Sequence, residues 1–403
     1  MIPLQEASSY VLETVQRLDS ERVDLLKSRG RVTAESIISN ESVPPFDNTA
    51  VDGYAVIAAD THEASDESPI TLTVLESIAA GSSTSQTIRR GECSKIMTGA
   101  PIPKGADAVV MVEWSEPAVE EGKAKILKAV ALGDHIRHAG EDLLPNDLVI
   151  PEGTFLNPAH LGLLASLGIY EIQTYRKPKI AVFSTGDELI EGPAALKPGQ
   201  IRDSNRFSLI SLLERDGFEA IDLGLVSDDE SAIEETIKTA TETCDAIITT
   251  GGVSMGDYDY VKLVLSRIGD MRWMQIAIKP AKPFAFGVVD TKPVFGLPGN
   301  PVSSMVSYEL LAKPALKKMM GRAKLFPNYL TGEVKGTFSR KKDGKTHFVR
   351  AVAAIDQNPP KIYSAKRQGS HQLTGMAEAN ALAILPDGEG VEEGSSLEFF
   401  VLD

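Results

Sequence analysis

From residue 178 to residue 321 short apolar runs alternate with segments whose apolar residues recur at helical spacing. Residues 179–184, 220–226 and 246–250 read as strands, residues 206–215 and 229–243 as helices, and two further strands follow. That alternation predicts a doubly wound α/β domain. Three of its apolar runs end abruptly in glycine and oxygen-bearing residues: Ser184-Thr185-Gly186-Asp187-Glu188, Gly251-Gly252-Val253-Ser254, and Leu297-Pro298-Gly299-Asn300-Pro301-Val302-Ser303-Ser304. In an open parallel sheet, ligands collect at the carboxyl ends of the strands, where glycine loops let backbone N–H groups approach an anion. Two of the loops lead into predicted helices, 258–268 and 302–320, whose free first-turn N–H groups suit phosphate. The pattern predicts one composite site for an anionic small molecule.

The flanking regions have a different rhythm. Residues 7–29 read as helical, with Val11, Val15, Leu18, Leu25 and Leu26 near helical spacing. From about residue 40 to 153, short β-rich runs are broken by glycine and proline, as expected of a β-rich insert. Residues 157–168 carry Asn157 at a plausible N-cap, Pro158 at the first helical position and Gly168 at the end, which predicts a short helix. After Pro327 five strand-like runs, beginning at Thr331, Thr346, Lys361, Ala381 and Ser396, predict a small β-barrel of about 75 residues.

Charge narrows the choice of ligand. The 403 residues hold 41 Lys and Arg against 56 Asp and Glu, a net charge of −15, so nucleic acid is a poor partner. An acidic protein that holds a phosphorylated ligand needs a local basic cluster or a divalent cation bridging its carboxylates to the phosphates. No apolar run approaches the ~18 residues that span a bilayer, and the start of the chain lacks the marks of a secretory signal, so a cytoplasmic enzyme without membrane contact is expected. The two cysteines, Cys93 and Cys244, read as small buried apolar residues.

Both devices for holding phosphate are present. Glu188, Asp228 and Asp259 each follow a predicted strand, a placement that suits Mg²⁺. Taken singly, each has a plainer reading as a helix cap or solvated charge, and Asp228 within Ser227-Asp228-Asp229 would cap the helix that follows. Lys279-Pro280-Ala281-Lys282-Pro283 holds two ammonium groups on a proline-stiffened segment, which suits an oxyanion. The segment from His135 to His138 reads as a turn rather than a metal site, and Lys317-Lys318 and Lys341-Lys342 as solvated charge pairs. Neither a GxxxxGK[ST] phosphate loop nor a GxGxxG dinucleotide fingerprint occurs, which counts against kinases and dehydrogenases.

Taken in order, Pro45 to Ala55 with Asp52-Gly53-Tyr54, Ile96 to Pro101 with Thr98, Ser184 to Leu189, Gly251 to Ser254, Lys279 to Gly287 and Leu297 to Ser303 resemble the molybdopterin molybdenumtransferase family, also called MoeA, which includes the E domain of gephyrin. The resemblance spans essentially the whole chain. It implies four domains: a linker domain (27–45 and 146–177), a β-rich insert (46–145), the α/β molybdopterin-binding domain (7–26 and 178–326) and the C-terminal β-barrel (327–403). It also implies Mg²⁺-dependent cleavage of adenylylated molybdopterin, with release of AMP and insertion of molybdate into the dithiolene.

The same resemblance implies a homodimer with a shared active site, into which Asp52 and Thr98 reach from the partner subunit. A handover of substrate from the adenylyltransferase accompanies that picture. Glu188, Asp228 and Asp259 match the family's active-site acids. Lys279, Lys282, Ser303, Arg350 and Ser370 match its oxyanion-binding positions. Thr185, Gly251, Gly252, Ser254, Pro298, Gly299, Asn300 and Pro301 would seat pterin and phosphates. A tungstate-inserting homologue would share every one of these residues, and a non-catalytic, gephyrin-like scaffold is the alternative from another class, which retention of the three acids disfavours.

Overall fold

The computed structural model describes residues 1–82, 84–252 and 260–402. The chain divides into two units, Met1–Glu35 with Glu152–Asn157 and Glu171–Asp403 in one, Ser36–Pro151 with Pro158–Tyr170 in the other. The first unit is built on a six-stranded sheet in the order Glu219–Val226, Lys179–Thr185, Ala246–Thr250, Lys292–Leu297, Pro283–Val289, Asp270–Gln275. The first four strands are parallel. Past their first residues the strands Lys179–Thr185, Ala246–Thr250 and Lys292–Leu297 are buried and largely apolar because both faces are covered. Ile180, Val182 and Ile248 pack against Leu209 and Leu213 of the helix Asn205–Arg215 and against Val302 and Val306. The alternate residues Ala181, Phe183 and Ile247 face Ile233 and Ile237 of Glu230–Thr243 and Val261 and Leu265 of Tyr260–Ile268.

Three expectations for this unit are corrected. Beyond residue 250 the described residues add three strands to this sheet rather than two, and Pro283–Val289 runs antiparallel to both neighbours. Its hairpin turns on Asp290 and Thr291, both at positive φ (45° and 69°), a tight turn without the usual Asn-Gly signal. The predicted helix over 7–29 stops at Thr14, and Ser20–Asp24 is instead a strand paired with Glu171–Tyr175. Pairing to a strand some 150 residues away overrides local helical spacing. The helix predicted over 302–320 exists as Pro301–Ser307 and Lys313–Met319 joined by a wider π-type turn, Tyr308–Ala312, just before Pro314, which cannot donate an i−4 bond.

The C-terminal strands close into the expected barrel. Thr346–Ala354 pairs with Lys361–Ser364, which pairs with Leu330–Lys335, then Ser396–Val401, then Ala381–Leu385, which returns to Thr346–Ala354. Ile278–Lys279, from the α/β domain, adds in parallel to Thr346–His347 of the barrel. The second unit holds a six-stranded sheet, ordered Ala108–Met111, Gly53–Val56, Glu92–Ile96, Ile70–Ile78, Lys123–Ile126, Ser115–Pro117. Its core includes Val56, Leu72, Val110 and Cys93. Both cysteines are free and buried. Residues 136–137, expected in a turn, form a short strand with Asn48–Thr49. Among the described residues no helix is long and apolar enough to cross a membrane.

Gly321 ends the Lys313–Met319 helix at φ +79°, with its N–H on Lys318 O and that of Arg322 on Lys317 O. A Cβ there would lie 2.1 Å from the Tyr175 ring. Gly321→Ala is therefore expected to destabilise the protein by roughly 2–4 kcal/mol, from the left-handed backbone and overpacking together, read as a lower denaturation midpoint in urea.

Candidate active site

At the carboxyl ends of the parallel strands, the glycines are there because side chains do not fit. Gly251 (φ +91°) and Gly252 (φ +65°) follow the strand Ala246–Thr250, and a Cβ on Gly251 would come within 2.7 Å of Thr185 O. Gly186 (φ +145°) lies beneath the Glu188 carboxylate, 2.6 Å from where its Cβ would be. The loops enclose a hollow of about 80 Å³ whose walls include Thr185, Glu188, Asn205, Gly251, Gly299 and Pro301. Asn205 ties two of them together, donating from Nδ2 to Thr250 Oγ1 (2.8 Å) and Gly299 O (2.8 Å), while its buried Oδ1 has no partner among the described residues.

Asp229, not Asp228, caps the following helix: its carboxylate accepts from Ser231 N and Ala232 N. Asp228 is thereby released from the structural role expected of it. Burial raises the Asp228 carboxyl pKa above its usual value, and the charges of Asp187 and Glu188 raise it further. Like charges gathered without a cation between them suit a divalent ion. Among the described residues no group of three acids, histidines or cysteines forms a metal cage, but Mg²⁺ is commonly held by one or two carboxylates plus phosphate oxygens. Asp259 and Ser254 lie outside the described residues.

A larger pocket, about 740 Å³, opens between the α/β domain and the barrel of the same unit, and Lys279, Lys282, Asn300, Ser303, Arg350 and Ser370 all line it. Pro298 shares its wall, so the loop from Pro298 to Ser303 faces this pocket and the hollow with alternate residues. The parallel pairing of Lys279 with His347 carries the lysine there, and Val302 N donates to Ser370 O (3.1 Å), tying the barrel loop to the helix start. Arg350 is 1% exposed. Its guanidinium donates to the carbonyls of Arg367 (2.8 and 3.1 Å) and Gly369 (3.2 Å). No carboxylate among the described residues pairs with it, and burial pushes its pKa down. A buried cation held by neutral oxygens keeps a charge that they orient without cancelling.

Asp52 and Thr98 belong to the second unit and meet each other. Asp52 Oδ1 accepts from Thr98 N (2.6 Å) and Thr98 Oγ1 (2.7 Å). The backbone N–H of Thr98, and after it the hydroxyl, hold this exposed carboxyl below its ordinary pKa. Gly53 beside it begins a strand so close to its neighbour that a Cβ would sit 1.8 Å from Val110 O.

The whole sequence compares closely with known proteins. Residues 2–168 match the MoeA N-terminal region (domain I and II), residues 181–318 a probable molybdopterin binding domain, and residues 334–402 the MoeA C-terminal region (domain IV). A molybdopterin molybdenumtransferase of Haemophilus influenzae is 38% identical over 97% of this chain and 96% of its own. One from Nostoc is 34% identical over 96% and 91%. The chain belongs to the molybdopterin molybdenumtransferase (MoeA) family. The crystal structure of a molybdopterin biosynthesis MoeA protein from Pyrococcus horikoshii superposes with a TM-score of 0.83 at 32% identity, covering 100% of both chains.

In this MoeA-family chain the structure adds residues that sequence reasoning missed. Asn205 gave no signal, because one asparagine at a helix start reads as a cap. Arg340, Lys341, Lys345 and His347 also line the larger pocket, so Lys341 is more than the solvated charge expected of it. Asp343 faces Arg340 (2.8 Å), Lys345 (3.2 Å) and His347 (3.1 Å). Against desolvation, hydrogen bonds from His347 and Lys345 hold its pKa down to about 2. Burial depresses the His347 pKa, with the Arg340 and Lys279 charges adding to the shift and Asp343 opposing it. The basic periodicity of the barrel strand and its preceding loop was the available clue.

Thr98→Val is expected to raise the Asp52 carboxyl pKa part of the way to its ordinary value. The backbone N–H, the larger contributor, stays in place, so the carboxyl should still titrate below a free aspartate in a carbon-detected NMR pH series.

Proposed function

We propose that this chain is a cytoplasmic molybdopterin molybdenumtransferase. It cleaves adenylylated molybdopterin in a Mg²⁺-dependent reaction, releases AMP and inserts molybdate into the dithiolene to yield molybdenum cofactor. The observation that carries the reading is the pocket lined by Lys279, Lys282, Ser303 and Ser370 together with Arg350, which pairs with no carboxylate among the described residues. A tetrahedral dianion needs several cationic and hydroxyl donors at once, and these are gathered there. Family membership supports the pterin assignment.

Phosphoanhydride cleavage demands in-line positioning and charge neutralisation more than a protein nucleophile. The glycine loops at Gly251-Gly252 and Pro298-Gly299-Asn300 leave room for backbone N–H groups to approach phosphate oxygens, with Thr185, Pro301 and Asn205 shaping the hollow. Glu188 and Asp228 would hold Mg²⁺, joined by Asp259 from the family resemblance, and Ser254 would help to seat the pterin and phosphates; the ion would neutralise the pyrophosphate and ease departure of AMP. The Lys279 and Lys282 ammonium groups neutralise the oxyanion, while Arg350, its position set by carbonyls, supplies directional donors. In the homodimer of this proposal, Asp52, oriented by Thr98, completes the partner's cleft, and the adenylyltransferase hands over the substrate.

The decisive assay follows AMP release from adenylylated molybdopterin with Mg²⁺ and molybdate. Asp228→Ala is expected to lower the rate by roughly 100-fold or more with the circular dichroism spectrum unchanged. Mixing it with Asp52→Ala under subunit exchange should restore part of the activity, since one cleft of each heterodimer receives both intact residues. Wild-type turnover in Asp228→Ala would refute the metal assignment; confirmed exchange without recovery would refute the shared site.

Anion binding should also be visible without turnover. Molybdate is expected to raise the wild-type Tm by a few degrees, because ligand that binds only the folded state stabilises it. Arg350→Gln and Lys279→Gln should each remove most of that increment. An undiminished increment in both would place molybdate elsewhere.

A further inference from the structure

A further cavity in the first unit, about 520 Å³, shares no lining residue with the pocket around Lys279 and Arg350 or with the hollow at the strand ends. Phe155, Lys317, Arg322, Lys324, Phe326 and Ile355 are among its walls. Its cations are poorly compensated. Arg322 stacks 3.7 Å from the centre of the Phe155 ring and donates to Asp216 O (3.1 Å), yet its buried Nε has no partner among the described residues. Lys317, expected to be a solvated charge, is instead half-buried. Burial, and after it the Lys313 and Arg322 charges, push its pKa down to about 8, with Asp216 and Glu309 pulling the other way. Those two carboxylates are already engaged by Lys313 at 3.1 and 3.0 Å. Among the described residues, none of Lys317, Arg322 and Lys324 has a carboxylate within ion-pair distance.

Three cations left without counter-charges are unusual in a chain of net charge −15. Desolvating Lys317 and Arg322 is unfavourable unless an anion joins them, while Lys324 stands exposed at the cavity wall, its ammonium donating to Asn328 Oδ1. A single carboxylate would leave most of that charge unmet, whereas a phosphate dianion meets it with up to three charge-assisted contacts. Phe326 and Ile355, both exposed apolar side chains, give the same cavity a hydrophobic wall, and its volume exceeds that of a phosphate ion many times over.

We propose that this cavity is a binding site for a small organic phosphate, a monoester whose dianion sits among Lys317, Arg322 and Lys324 while a flat apolar body lies against Phe326 and Ile355. The site is separate from the one that handles the substrate. Binding weakens as pH rises above about 8, because the Lys317 ammonium, facing Lys313, Arg322, Asp216 and Glu309, loses its proton there.

The test titrates the full-length protein by calorimetry with phenyl phosphate, and in parallel with inorganic phosphate. Phenyl phosphate is expected to bind saturably, to bind roughly tenfold or more tightly than inorganic phosphate, and to retain that affinity in Arg350→Gln. The helix-compatible substitution Lys317→Gln and the exposed Lys324→Gln should each weaken it roughly tenfold, and Lys317→Gln should flatten the pH dependence. The proposal is overturned if the wild type shows no saturable binding, if inorganic phosphate binds equally well, or if affinity survives both lysine substitutions and disappears in Arg350→Gln.

Discussion

A two-residue parallel pairing, Ile278–Lys279 beside Thr346–His347, carries the geometry of the main pocket. It splices an extended segment of the α/β domain onto the edge of a barrel strand, with Thr346 N donating to Ala277 O (2.9 Å). Lys279 from one domain and Arg350, three residues farther along the barrel strand than His347, thereby reach the same space. The Val302 N to Ser370 O bond fastens the opposite wall. Without these links the basic residues would stand on separate bodies joined only by chain, and a small dianion could not draw on all of them at once.

Two buried arginines show how surroundings assign a role. Arg206 and Arg350 are each 1% exposed. Arg206 is ringed by Asp203 (3.0 Å), Glu191 (2.7 Å) and Asp222, so its charge is spent on holding the loop after the strand Lys179–Thr185 to the neighbouring strand. Among the described residues the Arg350 guanidinium bonds only to carbonyl oxygens, which orient it without cancelling its charge. The first is a structural clamp; the second leaves a positive potential inside a cavity. The acids follow the same logic in reverse, with Asp229 spent on a helix cap and Asp228 left among like charges.

Elements whose cause is local were legible in the sequence. The strands at 179, 246 and 292 announce themselves because both faces are buried and nearly every position is apolar, and the barrel strands because they are short, β-branched and evenly punctuated. The glycine loops were legible for the same reason, since positive φ and close backbone approach admit little else. The strand Ser20–Asp24 was not, because its partner lies at Glu171–Tyr175 and its own spacing passes for helix. The Asp290-Thr291 turn and the π-type turn before Pro314 were hidden likewise, being imposed by the strands and helices around them.

By itself the sequence determined the alternation that makes a doubly wound domain, the barrel behind it, the glycine loops at the strand ends, and membership of a family through motifs spread along the whole chain. Those are properties of residues and their near neighbours. Only the tertiary structure decided that Asn205 ties the end of the Ala246–Thr250 strand to the Gly299 loop, that Asp228 is not a cap, that Arg340, Lys341 and His347 share the pocket of Lys279 and Arg350, and that Lys317 is half-buried beside a separate cavity. Each of these depends on what lies across space from a charge or a donor. The physical reason is that desolvation and Coulomb interactions are set by surroundings assembled from distant parts of the chain, which spacing along the sequence does not encode.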